Sequence, residues 1–586
     1  MKIALAQINP TVGDFAGNAR LILDFTARAA AQSAGLVVFP ELSICGYPPA
    51  DLLEKSSFLD RARQTLDEIA ASSAAGPAIL CGTALAVDGD SSAGKHARNV
   101  AALVAGGRVA FLQQKMLLPF YDVFDEQRYF EPAQHQSLTM LDGQPLAITI
   151  CEDAWNDKGF WPRRLYPIDP VDELMRQWAT LPDPIASTHP RIILNISASP
   201  FWCGKRDLRR NMLAAIARRH RAFVVMVNQV GGNDSLVFDG SSLVLAPTGE
   251  VLAQAACFTD DLIVFDTDAD TLTNPDAPGS TLFHRIDPGN AAATSSPHPA
   301  YEPDCNSGDI PAIWQALVLG ARDYVRKCGF SKALVAAIAV EALGPENVLG
   351  IGMPSEFSST GSISDAEKLA ENLAIRFELV AIHDVFAACT HTLEPLFAGT
   401  PFGLAEENLQ SRIRGVLLMA LSNKFGALVL TTGNKSEMST GYCTLYGDMV
   451  GALAVIGDVF KTRVYALSHY ANRDREIIPH NTIAKPPSAE LRPGQRDTDS
   501  LPPYEVLDPI LEAYVERYRS AEQILAELSD PAGPAAGKVD LALIRRVLSL
   551  VERSEYKRQQ AAPILKVTQK SFGNGRRFPI AVKVEV

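Results

Sequence analysis

The chain has no run of apolar residues approaching the roughly 20 that a membrane-spanning helix requires, so no helical membrane anchor is read from it. It has no basic excess either: 54 Lys and Arg stand against 67 Asp and Glu, a formal net charge of −13. Nucleic acid is therefore not expected as a general partner, although an acidic surface can still hold a local basic pocket for phosphates. Nine cysteines are odd in number and scattered without paired or metal-type spacing, so neither a disulfide framework nor a Cys/His metal cluster is read from them. That usage fits a reducing compartment. The opening Met1-Lys-Ile-Ala-Leu-Ala-Gln-Ile-Asn-Pro10 has too short an apolar run for a secretory signal and reads as a first strand, in a protein expected in the cytoplasm.

What is present suffices for more than one core. At 586 residues, 47% hydrophobic and 21% charged, a soluble globular enzyme of two or more domains is expected. Residues 1–265 alternate short β-rich runs with helical segments at 18–34, 59–73 and 206–219, the rhythm of a layered α/β domain. Residues 266–309 lose that periodicity and read as a wrapping linker. Residues 310–586 form a second domain, opening with an amphipathic helix at 312–327. Apolar strands follow at 347–353, 377–382 and 427–432, with helical patterns at 364–373 and 408–425. Buried-looking strands alternating with helices predict a parallel doubly wound sheet, with ligands at the carboxyl ends of its strands.

Three strand-like runs end in a reactive side chain: Leu36-Val-Val-Phe-Pro-Glu41, Val109-Ala-Phe-Leu-Gln-Gln-Lys115 and Leu146-Ala-Ile-Thr-Ile-Cys151. Each group would emerge at a sheet edge. Amide hydrolysis needs a thiol to attack the carboxamide carbon, a carboxylate to take and return its proton, and a cation for the developing oxyanion. Cys151, Glu41 and Lys115 supply that set. In the second domain, Leu428-Val-Leu-Thr-Thr-Gly-Asn-Lys-Ser-Glu437 places small polar groups, an amide, a lysine and a carboxylate directly after a strand. Residues 485–500 form a loop dense in both charge signs, which reads as a substrate lid.

Pro40-Glu-Leu-Ser-Ile-Cys-Gly-Tyr47, Lys115-Met-Leu-Leu-Pro-Phe-Tyr-Asp-Val-Phe-Asp-Glu126 and Ile150-Cys-Glu-Asp-Ala-Trp155 resemble the nitrilase or carbon-nitrogen hydrolase superfamily. The resemblance implies an α-β-β-α sandwich and a thioacyl-enzyme intermediate. The segments around 428–448 and 485–500 resemble the synthetase domain of NAD synthetases, a branch of the adenine-nucleotide α-hydrolase group. Together the halves resemble the glutamine-dependent NAD synthetases from end to end.

That resemblance implies that ammonia from glutamine amidates deamido-NAD, whose carboxylate ATP has adenylated, giving NAD, AMP, pyrophosphate and glutamate. Magnesium would offset the phosphate charge. Carried over by motif, Glu41, Lys115 and Cys151 are catalytic, and Tyr121, Ser199 and Lys205 bind glutamine. Asn408, Glu437 and Lys557 hold deamido-NAD, Thr432 contacts ATP, and Glu437 is the magnesium candidate. The family also implies a homo-oligomer.

One family feature is absent. A Ser-Gly-Gly-x-Asp-Ser loop after an apolar strand should follow Asp323-Tyr-Val-Arg-Lys-Cys-Gly-Phe330. Instead Gly329-Phe-Ser-Lys332 runs straight into Ala333-Leu-Val-Ala-Ala-Ile-Ala-Val-Glu-Ala-Leu343, which reads as a helix. Strand and loop are both read as missing near 329–333, and with them a backbone cradle for phosphate. The alternative expectation is therefore a glutaminase or amidase carrying an inactive nucleotide-binding synthetase domain.

Overall fold

The computed structural model describes residues 1–87, 94–267, 283–286, 308–334, 336–529 and 537–582. Its chain divides into two compact units, Met1–Asn233 with Val237–Ser307, and Asp234–Leu236 with Gly308–Val586. The expected linker at 266–309 lies mostly outside the described residues. Phe283–Ile286, however, is a strand paired antiparallel with Asp261–Asp266, so the first unit's sheet runs past residue 265.

The first unit is built on two large sheets. One has the order Phe283–Ile286, Asp261–Asp266, Lys2–Gln7, Leu36–Val38, Ala78–Ala86, Ala97–Ala105, Arg108–Gln114. The other runs Val251–Gln254, Leu243–Leu245, Phe223–Asn228, Ile192–Ser197, Gln144–Ile150, Thr139–Leu141. Successive side chains of a strand point to opposite faces, and the apolar sequence uses both. In Gln144–Ile150, Leu146, Ile148 and Ile150 enter a core shared with Leu5, Val38 and Leu103 of the other sheet, while Ala147 joins the cluster of Trp178, Met212 and Ile216 on the outer helices. Ile192–Ser197 and Phe223–Asn228 repeat the division, with Leu194 and Val225 inward and Ile193 and Val224 outward. Strands buried on both faces are continuous apolar runs for this reason. The outcome is the expected α-β-β-α sandwich.

Strand direction then places the reactive ends. Leu36–Val38 and Ala78–Ala86 are parallel, and two antiparallel steps through Ala97–Ala105 bring Arg108–Gln114 back to the same direction. The carboxyl ends leading to Glu41 and Lys115 therefore share one edge.

The second unit has a parallel sheet in the order Arg376–Leu379, Leu349–Gly352, Ala333–Leu334, Leu428–Thr431, Leu453–Ala454, joined at its centre by a bridge from Ala333 to Val348. In chain order this is 3-2-1-4-5, a doubly wound sheet whose order reverses between Ala333–Leu334 and Leu428–Thr431. The strand read as missing from the sequence is thus present, though only two residues long, and the helix begins at Ala337. A run of Ala, Leu and Val cannot be told from a helix by periodicity alone. What decides it is the sheet: Ala333 is fully buried and fills the central position, where flanking strands would otherwise face unpaired backbone groups. The polar loop is absent from the sequence, in which only Val335 and Ala336 stand between this strand and the Ala337–Leu343 helix.

Behind the sheet, a helical cluster built on Leu507, Ile510, Leu511, Ile544, Val547 and Val551 closes the second unit. Seven described cysteines are free and Cys257 is disulfide-bonded, a covalent tie that cysteine spacing gave no sign of. Among the described residues, no helix is long and apolar enough to cross a membrane.

Candidate active site

Lys115 leaves the end of Arg108–Gln114 and is completely buried, with its Nζ 2.7 Å from Glu41 Oε1. The same ammonium donates to both oxygens of Glu126, at 2.7 and 2.9 Å. Burial works against its charge, but the carboxylates of Glu126 and Glu41 outweigh burial and hold the lysine well above its ordinary pKa. It is a permanent cation. Glu126 pays for the arrangement: burial, and after it Glu41, push its carboxyl up to about 7 against the pull of Lys115 and of the Tyr47 hydroxyl, 2.9 Å from Oε1.

Glu41 is fixed on three sides. Oε1 accepts from Asn99 Nδ2 at 2.7 Å as well as from Lys115, and Oε2 accepts from the Ala198 backbone N–H at 3.0 Å. Cys151 follows Gln144–Ile150 at φ 43°, a left-handed conformation that costs a non-glycine residue about 1–3 kcal/mol. The sharp turn lifts its side chain off the strand and opens the Cys151–Ala154 turn. Burial raises the thiol pKa, Glu41 adds to the effect and Lys115 opposes it, so the resting thiol is protonated. Such a thiol needs a base in reach, and Glu41 is the carboxylate that acts on it most strongly.

Asp153 ties the two strand ends together. Its Oδ1 accepts from the backbone N–H groups of Met116 and Leu117 at 3.0 and 2.8 Å, and its Oδ2 from Ile150 N and Gln136 Nε2 at 3.1 and 2.8 Å. Lys115 and Cys151 are thereby held from a single buried carboxylate.

Around this centre lie the residues carried over for glutamine. The Tyr121 hydroxyl is 3.0 Å from Glu152 Oε2, and Lys205, first residue of Lys205–His220, has Nζ 5.6 Å from the Trp155 ring and 5.7 Å from Phe124. Ser199 is held through its backbone by Asn228, at 2.8 Å. Glu152 was not singled out from the sequence, nor were Glu126, Asn99, Asp153 and Tyr166. Glu152 is almost wholly buried, and burial raises its carboxyl to about 7, while Lys115, Tyr121, Tyr166 and Lys205 pull it down. Glu152 adjoins the nucleophile and Glu126 closes the Lys115-to-Glu126 run, but nothing local distinguishes a buried carboxylate there from a solvated one.

In the second unit, Asn408, Thr432, Glu437 and Lys557 all line one cavity of about 1020 Å³. Thr432 follows Leu428–Thr431 at the point where the strand order reverses, where backbone geometry leaves a crevice. Asn434 and Glu437 cap the Lys435–Thr440 helix reciprocally, the Asn434 side chain accepting from Glu437 N and Glu437 Oε2 accepting from Asn434 N at 3.1 Å. Glu437 Oε1 faces Lys461 Nζ at 3.4 Å, and burial raises its carboxyl against that lysine. Asn408 Oδ1 accepts from the Thr444 hydroxyl at 2.8 Å. Lys557 donates to the carbonyls of Gly441 and Cys443 at 2.8 and 2.7 Å. Lys485, Glu490 and Asp497, from the charge-dense loop, line the same cavity; Glu490 accepts from Ser359 and Ser362, and Lys485 donates to Ser362 at 2.8 Å. Among the described residues no group of three His, Cys, Asp or Glu could hold a metal. One carboxylate, Glu437, is nevertheless compatible with magnesium carried in on phosphate, a mode that needs one or two protein carboxylates.

The sequence matches the carbon-nitrogen hydrolase family over residues 2–160 and 180–274, and the NAD synthase family over 313–561. It is 45% identical to a glutamine-dependent NAD(+) synthetase of Synechocystis sp., over 99% of this chain and 98% of that one. Against the enzyme of the same description from Thermotoga maritima the identity is 41%, with the same coverage. The solved glutamine-dependent NAD+ synthetase from Acinetobacter baumannii, determined with ADP, is 34% identical with a TM-score of 0.69, covering 99% of this chain and 98% of that one. With both family regions matched in order and relatives this similar along their whole length, the chain belongs to the glutamine-dependent NAD(+) synthetases.

Proposed function

We propose that the first unit hydrolyses glutamine and that the ammonia released amidates deamido-NAD in the second, at the expense of ATP. The observation that carries this is the buried Lys115 ammonium held between Glu41 and Glu126, beside a Cys151 presented on a strained turn. Glu41 takes the thiol proton as Cys151 Sγ bonds to the carboxamide carbon. Lys115 meets the oxyanion with a charge already in place. Glu41 then protonates the leaving nitrogen, ammonia departs, and the thioester is hydrolysed by a water that Glu41 deprotonates.

Glutamine arrives as a zwitterion. Glu152, buried and flanked by two tyrosine hydroxyls, offers a counter-charge for the α-ammonium, and Lys205 one for the α-carboxylate, with Tyr121 and Ser199 completing the pocket. In the second unit Asn408, Glu437 and Lys557 would hold deamido-NAD and Thr432 the ATP, all from the walls of one cavity. Glu437 would also be the protein ligand of a phosphate-bound magnesium, which when present neutralises charge on the departing pyrophosphate. A homo-oligomer is proposed from the family resemblance; Leu396, Leu404 and Val416, on the helices His383–Phe397 and Leu404–Phe425, are 78%, 71% and 69% accessible and are available to such an interface. A cytoplasmic site agrees with nucleotide substrates.

The test is Cys151→Ala. It is expected to abolish glutamine use and to spare NAD formation from ammonium; glutamine use by this variant would sink the mechanism. A second reading rests on the two-residue Ala333–Leu334 strand running into Ala337–Leu343 with no polar loop between them. It makes the second unit a nucleotide-binding domain without synthetase activity. Ammonia from glutamine without NAD from either nitrogen source would establish it.

A further inference from the structure

The loop between Cys151–Ala154 and Pro170–Trp178 is tied at both ends. At its start, Asp157 Oδ2 pairs with Arg219 Nη1 at 2.7 Å, and Asp157 Oδ1 accepts from Gly159 N and Phe160 N, both at 2.8 Å. At its end, Arg219 Nη1 lies 3.5 Å from Asp169 and Nη2 2.6 Å from Asp172 Oδ1. Asn156 reaches across the loop, donating to the carbonyls of Tyr166, at 2.9 Å, and Ile168. One arginine on Lys205–His220 and one amide thus fix residues 156–169 as a strap.

The strap delivers a single functional group. The Tyr166 hydroxyl lies 3.2 Å from Glu152 Oε1 and 3.2 Å from the Leu118 carbonyl oxygen, sharing that carboxylate with the Tyr121 hydroxyl. We propose that Tyr166, held by the Arg219-clamped strap, is a specificity-determining residue that orients Glu152 and so selects an amide bearing an α-ammonium group. The proposal rests on the reading of Glu152 as the ammonium's counter-charge. Tyr166 acts through that carboxylate and is a positioning residue.

The physical cause is the desolvation of Glu152. A buried carboxylate stays ionised only with donors and cations around it, and those facing Glu152 are Lys115, Tyr121, Tyr166 and Lys205, with the Cys151 thiol alongside. Burial already raises Glu152 to about 7. Removing one hydroxyl donor raises it further, so the carboxyl is neutral over more of the neutral range and cannot attract an ammonium.

The experiment compares full-length wild type, Tyr166→Phe, Arg219→Gln and Glu152→Gln in glutamate release from glutamine, and in ammonia release from 4-carbamoylbutanoate, which is glutamine without its α-amino group. Tyr166→Phe is expected to raise KM for glutamine about tenfold, the scale of a lost hydrogen bond to a charged group. The rise should grow as pH falls below 8, and the preference for glutamine over the des-amino amide should shrink by the same factor. Arg219→Gln should move both quantities in the same direction by less. Unaltered preference and pH profile in Tyr166→Phe, with Glu152→Gln losing the preference, would overturn the strap's role alone. Unaltered preference in Glu152→Gln would overturn the reading of Glu152 on which it rests.

Discussion

At the residue level, the glutaminase centre is a charge problem solved before substrate arrives. Two carboxylates and one ammonium are buried together; the excess negative charge holds Lys115 cationic, while burial first and Glu41 second hold the Cys151 thiol protonated. Glu126 is part of that balance although it touches neither thiol nor base. Replacing it by Gln removes one carboxylate from Lys115, and a loss of about 100-fold in glutaminase kcat is expected, checked by glutamate release under saturating glutamine. The same group sets a pH limit. Burial raises its carboxyl towards neutrality, so Glu126 loses its charge as pH falls below neutral and glutaminase kcat at saturating glutamine, where the binding role of Glu152 is masked, should fall with it. Glu126→Gln should have lost that inflection. Glu41, Lys115 and Cys151, the catalytic residues proposed here, could be singled out from their strand-end positions because amide hydrolysis restricts which residue types serve. Glu126, Glu152 and Asp153 could not, since a carboxylate's role here depends on burial, and burial depends on which loops meet.

At the level of elements, apolar runs at 347–353, 377–382 and 427–432 became Leu349–Gly352, Arg376–Leu379 and Leu428–Thr431, trimmed where the chain leaves the sheet. Helices expected at 18–34 and 206–219 became Phe15–Ala30 and Lys205–His220, the first starting earlier because the Asp14 side chain caps it through Gly17 N. The helix His383–Phe397 was not anticipated: its inward side is little more than Phe386, so its sequence carries no strong apolar stripe. Ala333–Leu334 was misread for the opposite reason, being so short and apolar that only pairing with its neighbours identifies it. The lysine expected among the ligand groups after the 428–431 strand, Lys435, does not line the cavity and is fully buried, with Nζ 2.9 Å from Asp458, 2.7 Å from Glu516 and 2.6 Å from Thr568. It ties the Lys435–Thr440 helix to residues 566–570, near the chain's end. Lys435→Met leaves two carboxylates without their cation and should destabilise the second unit by about 3–5 kcal/mol, read as a lower thermal midpoint with glutaminase activity retained below it.

For the whole molecule, two units with separate chemistries make sense only if nitrogen passes from one to the other. Composition and spacing pointed to a layered α/β region and a parallel doubly wound sheet, and the family resemblance to the sandwich; the 3-2-1-4-5 strand order that sets the crevice beside Thr432 came from pairing across the chain. The homo-oligomer proposed above would self-associate through the second unit, where Leu404 and Val416 are exposed. Leu404→Glu with Val416→Glu should lower the solution mass of the assembly, checked by light scattering. The most direct measurement is NAD formation from deamido-NAD, ATP and magnesium with amide-labelled [15N]glutamine, and with ammonium in parallel, on protein whose intact mass matches 586 residues. The account predicts NAD from both sources, with the label in its carboxamide. Labelled ammonia released with no NAD from either source would contradict it, and would leave a working amidase joined to a silent nucleotide-binding unit.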